Sequence, residues 1–166
     1  MFRKDRNDGS YQFVLTGESE KEEPMKVSEV MTTEVETISA DQTAREAASF
    51  MLRADAGSIP VCEGGKVIGM VTDRDIAVRA IAEGRGPDTP VSELMSDGIV
   101  CAHEDDDVQA VAQRMSEEQV RRMPVLDSQQ NLVGIVSLGD LARESAGEAA
   151  EQALEGVSAP GGQHQQ

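Results

Sequence analysis

Between residues 44 and 52 the apolar positions Ala44, Ala47, Ala48, Met51 and Leu52 recur at i, i+3, i+4, i+7 and i+8. That spacing places side chains on one face of a helix. Thr43 precedes the stripe and Glu46 follows three residues on, so the pair predicts a capping box at the helix start. Gly57 is the expected stop. The pattern then changes period. Ser58-Ile59-Pro60-Val61-Cys62 and Val67 to Val71 read as two strands joined by a turn at Glu63-Gly64-Gly65-Lys66. Thr72 to Ala82 reads as a second helix, with Ile76, Ala77, Ala80 and Ile81 turned inward. Upstream, Val27 to Met31 makes one helical turn, and Val35-Glu36-Thr37-Ile38 alternates as a short strand.

The same order returns in the second half. Val27-Ser28-Glu29-Val30-Met31 matches Val91-Ser92-Glu93-Leu94-Met95 at an offset of 64 residues, and Ile59-Pro60-Val61 matches Met123-Pro124-Val125 at the same offset. Past the turn the offset becomes 65, aligning Gly69 with Gly134. The extra residue falls where Asp127-Ser128-Gln129-Gln130-Asn131 faces the shorter first turn, a place where a duplicated fold tolerates insertion. Asp107 takes the capping place of Thr43, and Val108, Val111, Ala112 and Met115 form the inner stripe. Met123 to Leu126 and Leu132 to Val136 are the second strand pair, and Leu141 opens a last helix expected to run through Ala149, Ala150, Ala153 and Leu154 to Gly156.

Each half is thus strand-helix-strand-strand-helix, in about 60 residues, near the lower limit for a self-sufficient core. The two halves are expected to pack on each other, creating two equivalent clefts. The expected division is a polar arm over 1–25, a first repeat over 26–83, a Gly/Pro-rich linker over 84–90, a second repeat over 91–147, and a helix extension with a disordered tail over 148–166. Within the arm, Tyr11 to Leu15 predicts one short strand.

The candidate chemistry lies at the end of the last strand of each repeat. Gly69-Met70-Val71-Thr72-Asp73-Arg74-Asp75 corresponds to Gly134-Ile135-Val136-Ser137-Leu138-Gly139-Asp140. In both, a hydroxyl residue opens a helix and an Asp follows three positions later. Backbone donors at a helix start favour an anion, and a carboxylate can accept from both hydroxyls of a ribose. A plain helix cap is the competing reading. Two copies at equivalent places of a repeat carry more weight than one.

Composition narrows the function. The formal net charge is −16, which argues against a nucleic-acid or anionic-membrane surface. No apolar run approaches the roughly 20 residues that span a bilayer, and Met1 to Asp8 is mostly charged, so a cytoplasmic protein is expected. Aromatics are 2% of residues, leaving the core to aliphatic residues and Met. Cys62 and Cys101 form no Cys-x-x-Cys; they read as small residues in strands, with a redox pair as the alternative. Nucleophile-elbow, metalloprotease and P-loop motifs are all missing from the chain, which points to a non-enzyme. His103-Glu104-Asp105-Asp106-Asp107 reads as an acidic capping loop rather than a metal site. Arg121-Arg122 is a candidate phosphate clamp, because arginine grips anions with parallel donors.

Val27-Ser28-Glu29-Val30-Met31-Thr32, Ser58-Ile59-Pro60-Val61 and Gly69 to Asp75, with their second-half partners, resemble a tandem pair of CBS (cystathionine-β-synthase) domains, often called a Bateman module. The resemblance implies an α/β (α+β) fold of two pseudo-symmetric β-α-β-β-α repeats packed sheet to sheet, commonly in homodimers. It implies a regulatory sensor that binds an adenosine-containing ligand (AMP, ADP, ATP, NAD or S-adenosylmethionine), AMP or ATP foremost, and acts on a regulated protein. In that pattern Asp75 and Asp140 would hold ribose, and Thr72 and Ser137 would lie near phosphate, with Arg74 beside them. Ser58-Ile59-Pro60 and Arg122-Met123-Pro124 would line adenine, with Thr37 and Ile38, and Cys101 and Ala102, contributing. Cys101-Ala102-His103 replaces Thr37-Ile38-Ser39, and Leu138-Gly139 replaces Asp73-Arg74, so the two clefts are expected to be unequal. The alternative is a ligand-free interaction or oligomerisation scaffold, redox- or stress-responsive through its cysteines.

Overall fold

The structure is a computed structural model and describes residues 2–4, 11–13 and 24–144. Near the N-terminus β1 (Phe2–Lys4) pairs antiparallel with β2 (Tyr11–Phe13), Phe2 opposite Phe13. The strand expected to reach Leu15 is described to Phe13; Val14, Leu15 and the expected extension past Glu144 lie outside the described residues.

The first repeat contains α1 (Val27–Val30), α2 (Ala44–Ala54), β3 (Ser58–Glu63) and β4 (Lys66–Thr72). One turn of helix, α3 (Asp73–Asp75), follows and widens into a π-helical turn over Ile76–Ile81. A 3₁₀ turn at Val91–Glu93 opens the second repeat, which continues with β5 (Ala102–His103), α4 (Val108–Glu118), β6 (Arg122–Leu126), β7 (Leu132–Ser137) and α5 (Leu138–Glu144). In each repeat the last two strands form an antiparallel hairpin. The first strand runs parallel to the hairpin's inner strand: β5 pairs with β6 in the second repeat. In the first repeat the expected strand over Val35 to Ile38 shrinks to a single bridge, Ile38 to Val61.

The helix starts follow local chemistry. Thr43 accepts from the Glu46 N–H while Glu46 accepts from the Thr43 N–H at 2.8 Å. Asp107 accepts from the Gln109 and Ala110 N–H groups, closing the start of α4. α2 ends at Ala54, short of the Gly57 expected to stop it, and no glycine stands between α4 and β6. Asp55 (φ 48°) and Gln119 (φ 55°), equivalent positions of the two repeats, take the left-handed conformation that ends each helix. Ala44, Ala47 and Met51 face inward as expected, and all four expected α4 positions are buried. Ala48 and Leu52 are exposed, Leu52 at 84%, because only one edge of α2 meets the sheet. The π-helical turn changes the second helix as well. Only Ala80 is fully inside, Ala77 is exposed and Ile81 is 63% exposed, since a wider turn breaks the 3.6-residue stripe.

Two hydrophobic cores result, and each borrows from the other repeat. Val27, with Val30 and Met31 against it, packs with Ala102, Val108, Val111, Met115 and Leu141 of the second repeat. Val91 and Leu94, with Met95, pack with Ile38, Ala47, Ile59 and Val71 of the first. The leading turn of each repeat therefore closes the core of its mate. Backbone pairing follows the same exchange: Thr32 bridges Ile135 on β7, and Ser96 bridges Met70 on β4. The close approach explains two glycines. A Cβ on Gly69 would sit 2.7 Å from Met95 Sδ and 2.9 Å from the Ser96 carbonyl oxygen; one on Gly134 would meet Met31 Sδ and lie 3.1 Å from the Thr32 carbonyl oxygen.

Candidate functional site

The two hydroxyl-x-x-Asp segments fold alike. Ser137 N–H and Oγ donate to Asp140 Oδ2 at 2.9 and 2.7 Å, and the Asp140 N–H donates back to Ser137 Oγ at 3.3 Å. Thr72 and Asp75 form the same reciprocal set, with N–H and Oγ1 donating to Asp75 Oδ2 at 3.0 and 2.6 Å. Each carboxylate thus has one oxygen fixed by a capping box. The other oxygen faces an arginine: Arg143 donates to Asp140 Oδ1, and Arg79 Nε lies 3.5 Å from Asp75 Oδ1. Both carboxylates are well covered, at 13% and 10% side-chain exposure for Asp75 and Asp140.

A cavity of about 320 Å³ opens beside Asp140. Its walls come from both repeats. Ile135, Ser137, Asp140, Arg143 and Arg122 belong to the second; Ser58-Ile59-Pro60, Ala54 to Ala56, Thr32 and Glu34 to Glu36 belong to the first. The capping carboxylate of one repeat, Asp140, therefore faces the pre-proline strand of the other. The crossing segment after α1 supplies a third wall. Arg122 Nη1 donates to Ser58 Oγ at 3.3 Å across the boundary between repeats.

Of the residues expected from the sequence, this cavity gathers Ser58, Ile59, Pro60, Arg122, Ser137 and Asp140. Thr72 and Asp75 sit in the mirror position. Arg74 is exposed there, its N–H donating to the Asp73 side chain. Ile38, Ala102 and Met123 are buried in the two cores, and Pro124 is buried in β6. Thr37 lines a smaller cavity of about 200 Å³ with Cys62, Gly65 and Leu132. Cys101 is half-buried before β5, and its carbonyl accepts from Arg114. The Arg121-Arg122 clamp is divided. Arg121 lies in the bend before β6 and is exposed, whereas Arg122, the first residue of β6, lines the cavity.

Sequence reasoning missed Thr32, Glu34, Glu36, Asp55 and Arg143. Thr32 to Glu36 lie outside any regular element of the first repeat, and the crossing alone brings them to Asp140. For Asp55 a signal did exist: it occupies the helix-end position equivalent to Gln119, next to Ser58 in the turn.

Burial pushes the thiols of Cys62 and Cys101 above the ordinary cysteine range, which lowers the thiolate fraction on which reactivity depends. The acidic loop acts structurally: Asp106 accepts from the His103 N–H and from Arg114. Among the described residues no group of three His, Cys, Asp or Glu side chains is placed to hold a metal ion, and no helix is long and apolar enough to cross a membrane.

The comparisons with known proteins agree on this architecture. The family model for the CBS domain matches residues 27–81 and 91–147. The CBS domain-containing protein YhcV of Bacillus subtilis is 48% identical over 133 residues, covering 80% of this chain and 94% of that protein. A crystal structure of Hypoxic Response Protein I with two coordinated zinc ions superposes with a TM-score of 0.67 at 34% identity, covering 72% of this chain and 98% of that one. The CBS domain pair of protein MJ0100, solved with 5′-methylthioadenosine and S-adenosyl-L-methionine, gives a TM-score of 0.66 at 29% identity over 72% of this chain and 94% of that one. With two matched domains over more than half its length and the exchanged cores just described, the chain belongs to the CBS-domain family, as two CBS domains in tandem.

Proposed function

We propose that this protein is a regulatory module that binds an adenosine-containing ligand in the cleft at Asp140. The observation that carries the reading is the composition of that cleft. A buried carboxylate at a helix start, a strand ending in Ser137, an apolar wall at Ile59-Pro60 and an arginine at Arg122 converge on one cavity. Asp140 suits ribose hydroxyls, Ile59 and Pro60 suit a flat apolar base, and Arg122 suits an anionic group. MJ0100, which shares the pair architecture, was solved with two adenosyl compounds, and that supports the class of ligand. Zinc, seen in Hypoxic Response Protein I, finds no matching cluster among the described residues.

The module is a sensor rather than an enzyme in this reading: ligand binding shifts the arrangement of the two repeats, and a regulated partner responds. Such a shift requires the arrangements to differ in affinity for the ligand. A homodimer fits the exposed Leu52, Val78 and Ile81 on the outer helices, with sedimentation velocity as its check. A cytoplasmic location fits the strongly acidic composition, with its formal net charge of −16. A ligand-free scaffold is the competing reading, and its support is that both carboxylates already have protein partners.

Calorimetry with AMP and 2′-deoxy-AMP separates the two. A hydrogen bond to a charged group contributes roughly 1.5–3 kcal/mol, so loss of one hydroxyl weakens binding about ten- to a hundredfold. The expected result is clear preference for AMP, erased by Asp140→Asn. Saturating AMP with no heat and no rise in melting temperature would leave the scaffold reading standing.

A further inference from the structure

The two capping carboxylates are related by the repeat, yet the arginine facing each is held in a different way. Arg79 is fastened to the crossing segment. Its Nη1 donates to the Leu94 and Met95 carbonyls at 2.6 and 3.0 Å, and Nη2 to Ser96 Oγ at 3.5 Å, while Nε faces Asp75. Arg143 faces Asp140 from the first turns of α5 with its side chain 74% exposed, against 42% for Arg79. The difference is built into the chain. At an offset of 65 residues the counterpart of Arg79 is Glu144, and that of Arg143 is Val78. A carboxylate has no proton to offer the carbonyls of a crossing segment, so the second repeat lacks the fastening by chemistry. Backbone form differs too: Arg79 sits in the π-helical turn, whereas Arg143 sits in regular α-helix.

We propose that these arginines decide which cleft takes ligand: Arg143 is a movable latch over Asp140, and Arg79 is a fixed plug beside Asp75. The proposal rests on the adenosine reading given above. A ribose needs a carboxylate oxygen with lone pairs open to its hydroxyls, and Asp140 Oδ2 already accepts from both the N–H and the Oγ of Ser137. Asp140 Oδ2 stays with Ser137, and Oδ1 is released when the exposed Arg143 side chain swings away. On its flexible stem at the cavity edge, the freed guanidinium then faces an anionic 5′ group of the ligand. Arg79 has no such freedom, because leaving Asp75 means giving up two backbone carbonyls that the crossing segment presents. The chain therefore loads one ligand, at Asp140, and keeps the Asp75 cleft as an internal brace between the repeats.

The test is calorimetry of the full chain with adenosine and AMP. One equivalent per chain is expected. Asp140→Asn should weaken AMP at least tenfold, while Asp75→Asn, with its fold checked by circular dichroism, should leave affinity within about twofold. Arg143→Ala should tighten adenosine, by removing the competitor for Oδ1, and weaken AMP relative to adenosine by about fivefold or more. Two equal equivalents in the unaltered protein overturn the proposal and leave the adenosine reading intact. So does an equal effect of Arg143→Ala on both compounds. Loss of binding through Asp75→Asn rather than Asp140→Asn overturns the proposal and the placement at Asp140, leaving only the class of ligand. Failure of both compounds to bind the unaltered protein overturns both.

Discussion

Ser58 and Arg122 occupy the same position in the two repeats, 64 residues apart, and they are hydrogen-bonded to each other, Nη1 to Oγ at 3.3 Å. The approximate two-fold relation between the repeats thus brings equivalent strand starts together at its centre. Ser58 is 9% exposed and Arg122 is half-buried, so the contact has little water to replace it. A double-mutant cycle of Ser58→Ala and Arg122→Met, read by urea denaturation, is expected to give a coupling of about 1 kcal/mol. Additive effects of the two changes would mean that this hydrogen bond adds nothing to the other contacts between the repeats.

Gly69 and Gly134 should be intolerant of even one methyl group. In each case the obstructing atoms include a backbone carbonyl, Ser96 or Thr32, as well as the flexible methionine. The methionine can turn aside; the carbonyl belongs to a paired backbone and cannot. Gly69→Ala and Gly134→Ala are each expected to destabilise the protein by about 1–3 kcal/mol, the usual range for overpacking. Gly86→Ala, where a Cβ meets open space, is the control for the general effect of removing a glycine. Thermal unfolding of the three variants decides the matter.

The lining of the Asp140 cavity includes Glu34, Glu36, Asp55 and Asp140 against Arg122 and Arg143. In the other repeat the positions of Glu34, Glu36 and Asp55 hold Gly98, Val100 and Gln119. Such a rim works against a polyphosphate. Metal-free ATP is expected to bind about tenfold more weakly than AMP at low salt. The gap should narrow as ionic strength rises, because the three rim carboxylates are exposed and the Debye length falls to about 8 Å at physiological salt. Neutralising them by Glu34→Gln, Glu36→Gln and Asp55→Asn should narrow it in the same direction. A nucleotide titration showing ATP tighter than AMP at every salt concentration would contradict this account of the rim.

Acid should loosen the contact between the repeats. Lys26 Nζ donates to Asp105 Oδ1 at 2.7 Å, joining the segment before α1 to the loop before α4. That hydrogen bond, with the charge behind it, holds the Asp105 carboxyl below the ordinary range. Backbone and side-chain donors of Thr43 do the same for Glu46, and Asn131 does so for Asp127. A carboxyl lowered in the folded state adds stability above its unfolded pKa and loses it as pH falls through the folded value. Melting temperature should therefore hold steady near neutral pH and decline below about pH 4. Lys26→Met should make that decline shallower. An identical acid limb in the variant would show that the pair contributes nothing measurable, as many exposed pairs do.

Much of the architecture is determined by the sequence itself because its causes are local. The capping box of Thr43 and Glu46, the buried stripe of Val108, Val111, Ala112 and Met115, and the hairpin on either side of Asp127 to Asn131 each depend on residues a few positions apart. Duplication then makes the order of elements readable twice, and it singles out Asp75 and Asp140 together. Periodicity failed where one helix edge stays uncovered, as at Leu52, or where a widened turn shifts the stripe, as at Ala77 and Ile81. What only the tertiary structure decided is which residues share a cleft. Val27 to Met31 belongs to the first repeat in the chain, but the corresponding place in that core is filled by Val91 and Leu94, and Val27 closes the core around Met115 and Leu141. That exchange carries Thr32, Glu34 and Glu36 to Asp140 and joins them to Ser58 and Arg122. A contact made between segments a hundred residues apart leaves no period in the sequence, because it is chosen by the volume left to fill rather than by neighbouring residues.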